Sequence, residues 1–464
     1  MSLQFIIGSS GIGKTHYACE QIIRESMENP QHLYYIIVPE QFTMQTQKNV
    51  VEMHPGKGIL NIDVLSFQRL AYRIFEETGG AREVLLDDTG KSMVLQKLVQ
   101  QHRKNLPYLG SQMNKPGYLD EVKSLISEFM QYDIREEELQ DMLGKTGEDS
   151  LLHMKMQDVG VLYQAFLQYL EGHYMTGEGV MDALKKAIPF SDKLKKSVLL
   201  LDGFTGFTPV QMNVIRELLN VCDKVLVTVT MDAGENPLQL GKPHQLFYMS
   251  RKMIHTLSGL TSNLDDPVLL KDERKGRFGN STSLDFLEKH LFRYRRSAYE
   301  KKQEEICIFA AESPVKELEE TARRIRRLVR EKNLKYGEIA VITGNLEAYK
   351  SIASQVFEES RIPYFLDEKH TILMNPFIEY IRAALEMVTK GFSYESVFRY
   401  LRCDMSGLGR EQVDMLENYV LALGIHGYKK WSEKWVRVYR TMDPEDIQVL
   451  NEYREIFVRE AEIL

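Results

Sequence analysis

Residues 8–15 read Gly8-Ser9-Ser10-Gly11-Ile12-Gly13-Lys14-Thr15, a glycine-rich loop closed by a lysine and a hydroxyl, and this loop restricts the fold more than any other feature. Its glycines let successive backbone N–H groups turn inwards around phosphate oxygens. Lys14 then neutralises the β and γ phosphates, and the Thr15 hydroxyl holds Mg²⁺. Such a loop works between a strand and a helix, because the first helical turn adds unpaired N–H groups and a positive dipole end. Both flanks comply. Residues 3–7 are an apolar run that predicts a strand, and a helical pattern runs from Lys14 towards Met27. The expectation is a P-loop NTPase domain that takes ATP with Mg²⁺ through Gly8, Ser9, Ser10, Gly11, Ile12, Gly13, Lys14 and Thr15. A second triplet, Gly90-Lys91-Ser92, is rejected as a phosphate loop: its leading glycine would fall at Leu85, and the residues between read as the start of a helix.

The pattern beyond the loop alternates strands with helices. Buried strands are predicted at 33–38, 59–65, 198–201 and 224–230, with helical periodicity at 67–77, and this alternation predicts a parallel sheet. Between 85 and 194 the β runs vanish and long segments of helical period take over, notably 119–132 and 151–174. One sheet, residues 1–84 and 195–268, is therefore expected to be interrupted by a helical insertion at 85–194. Residues 269–304, charged and rich in Ser, Thr and Gly, read as a linker or loop. A second α/β unit is expected at 305–372, with strands at 306–310, 339–342 and 364–366 around an amphipathic helix at 317–330. Helical pattern returns at 373–464 and stops in mid-pattern, the mark expected of a piece of a longer protein.

Composition narrows the function classes. With 43% hydrophobic and 27% charged residues the 464-residue chain can bury sizeable cores. Its net charge of -7 carries no whole-chain mark of a nucleic-acid binder, although a local basic groove suffices for one. Cys19, Cys222, Cys307 and Cys403 stand far apart, without disulfide, zinc or cluster spacing, as expected of thiols in a reducing cytoplasm. No signal peptide or membrane span is predicted, so the chain is expected to be cytoplasmic.

Three sets of residues beyond the loop are candidates for chemistry. Leu199-Leu200-Leu201-Asp202 ends a buried strand in a carboxylate that either joins the magnesium shell or caps the next helix. Gly203 follows, where a motor ATPase places the glutamate that activates water. Pro39-Glu40-Gln41-Phe42-Thr43 and Ser66-Phe67-Gln68-Arg69-Leu70-Ala71-Tyr72 both follow strands of the same sheet and so belong on its carboxyl edge. Their amide, hydroxyl, guanidinium and aromatic groups are those that read base edges and stack on unpaired bases. The alternative places Phe67, Leu70 and Ile74 in the core and Arg69 in a surface ion pair. The run Arg323, Arg324, Arg326, Arg327 and Arg330, interleaved with Glu317, Glu319, Glu320 and Glu331, reads as a solvated helix face rather than a DNA groove. Arg293, Arg295 and Arg296 stay open between the two.

These segments, in this order, resemble the B subunit of the bacterial AddAB (RexAB) helicase–nuclease family. The carriers are the loop ending at Thr15, residues 38–43, residues 66–72 with Thr78-Gly79-Gly80 after them, and Leu201-Asp202-Gly203-Phe204-Thr205-Gly206-Phe207-Thr208-Pro209. The resemblance implies an inactivated superfamily 1 helicase-like architecture, with two parallel-sheet domains and two helical insertions, which agrees with Gly203 at the catalytic position. It implies an A-type helicase–nuclease partner that supplies the motor, in a heterodimer that resects double-strand breaks for recombination. The B subunit would scan single-stranded DNA for the regulatory Chi sequence through Gln41, Thr43, Phe67 and Arg69. Tyr72 stands where some members carry tryptophan, and Phe204 joins the DNA-binding set. The metal-holding residues would be Thr15 and Asp202. The family's iron–sulfur cluster and nuclease belong to a C-terminal part not contained in these 464 residues. Two competing readings are an autonomous P-loop kinase or phosphotransferase and an active superfamily 1 helicase; the former is opposed by two separated α/β units, the latter by Gly203.

Overall fold

The computed structural model describes residues 2–79, 83–113, 115–147, 150–232, 234–271, 276–293, 297–367, 372–439 and 442–463. The chain divides into two compact units, Met1–Cys307 and Ile308–Leu464. The strands of the first unit are β1 (Ser2–Gly8), β2 (Leu33–Ile37), β3 (Ile62–Leu65), β4 (Val84–Leu86), β5 (Tyr174–Thr176), β6 (Ser197–Leu201), β7 (Lys224–Thr230) and β8 (Val268–Leu269). Six of them form one sheet in the order β3-β2-β6-β7-β1-β8, and every pairing in it is parallel.

The side-chain period of two explains why this sheet is buried on both faces. Residues Phe5, Ile7, Tyr35, Ile37, Leu199, Leu201, Val225 and Val227 point to one face. There they pack against α3 (Phe67–Thr78), α8 (Gly179–Ala187), α9 (Pro209–Val221) and α10 (Tyr248–Ser258). The alternate residues Ile6, Tyr34, Ile36, Val64, Val198, Leu200 and Leu226 meet α1 (Lys14–Glu28) and α2 (Thr43–Met53) on the other. Parallel strands with helices between them deliver the turns after β1, β2, β3, β6 and β7 to a single edge. That edge carries the glycine loop, residues 39–43, Ser66 and Asp202.

Between β3 and β6, α4 (Asp88–His102), α5 (Pro116–Gln131), α6 (Glu136–Gly144) and α7 (Leu151–Leu170) pack around their own core, and β4 pairs in parallel with β5 where no strand was expected. The rejected triplet lies in α4, where Lys91 is buried and its ammonium sits 3.0 Å from Glu178 and 3.2 Å from Ser127 Oγ. The boundary of the insertion differs from expectation. Val180, Met181 and Leu184 of α8, with Ile188 and Leu194 after it, pack into the core of the large sheet rather than into that of the insertion. Helical periodicity identifies an apolar face without saying which core it joins. The expected loop at 269–304 holds β8 and a helix, α11 (Thr282–His290), which Ser281 caps by accepting the Leu284 N–H at 3.2 Å. Arg295 and Arg296 lie outside the described residues, as does Gly80.

The second unit departs furthest from expectation. It contains α12 (Pro314–Lys332), α13 (Leu346–Glu359), α14 (Pro376–Thr389), α15 (Tyr394–Leu401), α16 (Arg410–Leu423), α17 (Tyr428–Ser432) and α18 (Pro444–Ala461). The α12 stripe of Leu318, Ala322 and Ile325 packs on Ala353, Val356 and Phe357 of α13 as its period demands. Around Trp431, Tyr419 and Phe457 the last five helices form a separate aromatic-rich core. The predicted second parallel sheet is absent among the described residues: 306–310, 339–342 and 364–366 are not paired as strands. A strand exists by pairing, and these β-prone segments leave Ile342 92% and Phe365 87% exposed. The arginine-rich face of α12 is solvated, with Arg323 and Arg324 both bonded to Glu320.

Truncation should separate the two situations. Ile36→Ala, in the closed sheet, is expected to lower unfolding free energy by about 2–5 kcal/mol. Ile342→Ala should stay within about 0.5 kcal/mol of the unmodified chain. Urea denaturation of both variants measures this, and equal losses would place residues 339–342 in a packed sheet.

Candidate functional site

The glycine loop leaves β1 at Gly8 and enters α1 at Lys14. Gly11 and Gly13 adopt φ of 76° and 98°, the left-handed region that a side chain resists, so the turn depends on glycine at both positions. The Lys14 ammonium rests on the Ser9 carbonyl at 2.8 Å. Burial pushes its pKa below the usual lysine value, while the negative charges of Asp202 and Glu288 pull it back up. Lys14, Thr15, Gly13 and His16 line a cleft of about 580 Å³ that continues along α1 towards Thr46 and Asn49 of α2. A larger cavity, about 1030 Å³, opens beside α7 and α8 and is lined by none of the predicted site residues.

Asp202 and Thr15, 187 positions apart in sequence, meet at this edge. The Thr15 hydroxyl donates to the Asp202 carboxylate, with both oxygens at 3.0 Å. A third residue completes the contact: the Thr228 hydroxyl on β7 donates to Asp202 Oδ1 at 2.6 Å. Asp202 is 5% exposed, so its charge is held by hydroxyls rather than by water. The field of Asp202 is also felt at Cys19, one turn along α1, where burial first and this charge second raise the thiol pKa to about 12. Asp202 therefore does not cap the following helix; Thr208 does so for α9, accepting the Gln211 N–H at 3.4 Å. Sequence reading missed Thr228, although a hydroxyl within the buried run Val225-Leu226-Val227-Thr228-Val229 was a legible signal.

Gly203 has φ of 79° and sits where a Cβ would come 3.7 Å from Pro39 Cδ. Space is available there, but a glutamate would have to adopt a left-handed backbone at some energetic cost.

The two loop segments are brought together by an ion pair, Arg69 Nε to Glu40 Oε1 at 3.0 Å. Their side chains divide into two sets. Gln41 and Arg69 are exposed and Tyr72 is 39% exposed, its ring edge-on to Phe75. Phe42 and Met44, which sequence reading passed over, are exposed beside them. Thr43 and Phe67 turn inwards. The Thr43 hydroxyl donates to the Glu40 carbonyl at 2.9 Å and closes the turn into α2. Phe67 is 5% exposed, with ring centroids 5.6 Å from Phe204 and 6.2 Å from Phe207. The Phe67 ring is enclosed by protein, which corrects the expectation that it is offered to a base; Phe204 is partly buried in the same cluster. The physical reason is the position of Phe67 at the first turn of α3, in register with Leu70, Ala71 and Ile74 on the core face.

Among the described residues no cluster of three or more His, Cys, Asp or Glu side chains could hold a metal by itself, and no helix is long and apolar enough to cross a membrane. Arg293 pairs bidentately with Asp232, at 2.9 and 3.0 Å, under the Phe247 ring.

Comparison with known proteins gives the family. Residues 279–448 match a family model described as UvrD-like helicase C-terminal domain. Residues 5–288 match the model described as ADDB, N-terminal. The chain belongs to the AddB family. A relative from Lachnoclostridium phytofermentans, named as the B subunit of an ATP-dependent helicase/deoxyribonuclease, is 42% identical over 99% of this chain and 41% of its own length. Relatives of the same name from Clostridium novyi and Caldanaerobacter subterraneus are each 34% identical, over 94% and 98% of this chain and 38% and 40% of their own. The chain thus spans about two-fifths of the length of these curated relatives.

The division of the aromatic and polar residues is testable by stability alone. Phe67→Ala should cost about 3–5 kcal/mol in denaturant unfolding. Arg69→Ala should cost no more than about 1 kcal/mol, because its ion pair is exposed. A Phe67→Ala variant as stable as the unmodified chain would show that the ring is not part of the core.

Thiol chemistry gives an independent check on burial. The raised pKa of Cys19 keeps it protonated at pH 8, and the same holds for Cys222, pushed up by burial to about 11. Iodoacetamide at pH 8 is expected to modify Cys307, which is exposed, and to leave both of these intact by peptide mass mapping.

Proposed function

We propose that this chain is the nucleotide-binding and DNA-scanning part of the B subunit of a cytoplasmic helicase–nuclease that resects double-strand breaks. The observation that carries the reading is the contact of the Thr15 hydroxyl with the Asp202 carboxylate beside Lys14, at the end of a glycine loop. A P-loop NTPase site needs a hydroxyl and a carboxylate converging where the phosphates end, and little else from the protein. The donor set also suits the ion: Mg²⁺ that arrives with phosphates takes only one or two protein oxygens and completes its shell with phosphate and water. Thr15 and Asp202 would hold it, and the ion would neutralise charge on the β and γ phosphates. Gly8, Ser9, Ser10, Gly11, Ile12, Gly13 and Lys14 would surround the phosphates of ATP.

The same reading assigns binding rather than rapid turnover to this site, because Gly203 supplies no base for the attacking water. The motor would reside in an A-type partner, and a heterodimer is favoured because the relatives are named as B subunits. Single-stranded DNA would pass over the carboxyl edge, where Gln41 and Arg69 offer forks for base edges and Tyr72 offers a stacking face. Thr43, Phe67 and Phe204 would shape this edge from beneath. Chi recognition would lie in Gln41 and Arg69, since a well-placed amide or guanidinium fork discriminates a base by about 1–3 kcal/mol.

Lys14→Ala is expected to abolish binding of a fluorescent ATP analogue by this chain while unwinding by the reconstituted heterodimer changes little. A large loss of unwinding with folding intact would place the motor here. Gln41→Ala and Arg69→Ala should weaken attenuation at Chi and leave unwinding of Chi-free DNA near normal, read from fragment patterns on the two substrates. Unaltered Chi fragments from both variants would remove these residues from sequence reading.

A further inference from the structure

Between β8 and α11 the chain makes a tight turn that seats itself on the glycine loop. The Arg277 N–H donates to the Gly11 carbonyl at 2.9 Å, and the Gly279 N–H closes the turn on the Gly276 carbonyl at 2.9 Å. The approach is close enough to favour glycine on both sides. A Cβ on Gly276 would lie 3.0 Å from the Gly11 carbonyl oxygen, and one on Gly11 would lie 3.1 Å from both Arg277 Cβ and the Phe278 ring. Ser281 then accepts the Leu284 N–H in the first turn of α11, and the far end of that helix is tied down where Arg293 pairs with Asp232 and Glu288. The turn is therefore held to the glycine loop at Gly11 and, beyond α11, to Asp232.

The side chain at the centre of this turn lines the 580 Å³ cleft together with Lys14 and Thr15. Two other arginines of this unit are neutralised, Arg251 by Glu235 and Arg293 by Asp232. The Arg277 guanidinium has no ion pair or side-chain hydrogen bond among the described residues. A guanidinium is a planar fork of five donors suited to phosphate oxygens, and one with no partner among the described residues, beside a glycine loop of this kind, is matched to that ligand.

We propose that Arg277 is a second phosphate-binding cation of this cleft, delivered in cis by the 276–279 turn, and that it grips the polyphosphate of the bound nucleotide alongside Lys14. The inference rests on the nucleotide reading of the glycine loop and deepens it. Because the turn is hydrogen-bonded to Gly11, the nucleotide and the 276–279 segment would share one binding surface.

The experiment is titration of the full 464-residue chain with the fluorescent analogue mant-ATP in Mg²⁺, alongside its melting temperature without nucleotide. Loss of one charge-assisted contact corresponds to about 10- to 100-fold in affinity. Arg277→Ala is expected to weaken binding by that factor with the nucleotide-free melting temperature unchanged. Arg277→Lys should recover part of the loss, because it keeps the charge and loses the fork. Raising the salt concentration should weaken binding to the unmodified chain more steeply than to Arg277→Ala. If Arg277→Ala binds as tightly as the unmodified chain while Lys14→Ala does not bind, Arg277 is not a phosphate ligand and the nucleotide reading stands. Failure of the unmodified chain to bind, or normal binding by Lys14→Ala, overturns both. Should Arg277→Ala fold poorly, the Lys variant decides: unmodified affinity and unmodified salt dependence together would overturn the assignment of the guanidinium.

Discussion

One buried carboxylate holds the working edge of the sheet together. Asp202 ends β6, Thr15 opens the helix after β1, and these two strands are not neighbours, since β7 runs between them. The gap is closed by side chains. Thr228 on β7 and Thr15 both donate to Asp202, so a single anion ties the ends of three strands. An unpaired carboxylate at 5% exposure would be costly, and the two hydroxyls are what make it tolerable. The dependence runs both ways, because Asp202 is also the stronger of the two charges that oppose the loss of the Lys14 proton favoured by burial. Removing the carboxylate would leave two hydroxyls without this acceptor and make the charged lysine harder to keep in the loop.

If the glycine loop takes a nucleotide as proposed, the arrangement separates holding that ligand from transforming it. On the proposed reading, the groups that meet the end of a polyphosphate are concentrated in the loop, Thr15 and Asp202, and these positions are braced by the parallel sheet behind them. The next residue, Gly203, lies in the left-handed region, with its N–H 3.5 Å from the Thr228 hydroxyl. A backbone of that conformation favours glycine, so the turn itself disfavours a side chain at this position. A glutamate introduced there would have to strain or rearrange the same turn that presents Asp202.

Much of the sheet was legible because its strands are buried on both faces. Uninterrupted apolar runs such as Val198-Leu199-Leu200-Leu201 leave little choice of structure, and the glycine loop fixed where β1 had to end. The unpaired segments of the second unit misled for the complementary reason. Ile339-Ala340-Val341-Ile342 has the composition of a strand, but composition records only a preference, and pairing depends on residues distant in sequence. Helix α11 was hidden by the glycines and Ser281 ahead of it and by Thr282 and Ser283 at its start, although Leu284, Leu287 and Leu291 already had helical spacing. In the site, Asp202 was legible from its strand, while Thr228 was not singled out because a hydroxyl in a strand is usually a packing residue.

The two loop segments show why spacing alone could not divide core from edge. In Ser66-Phe67-Gln68-Arg69 the serine caps α3 by accepting the Arg69 N–H at 3.3 Å, and the phenylalanine beside it enters the core against Phe204 and Phe207. Those two residues fix the direction of the helix, and the direction places Arg69 outward towards Glu40. The Thr43 bond to the Glu40 carbonyl does the same for the other segment and leaves Gln41 and Phe42 outside the turn. Each segment therefore combines buried anchors with exposed residues. Damage to an anchor would spread to every exposed neighbour, whereas loss of an exposed fork would remove one contact and leave the edge in place. An aromatic ring and a guanidinium close in sequence thus hold different offices: the ring sets the direction of the helix, and the guanidinium is presented to solvent.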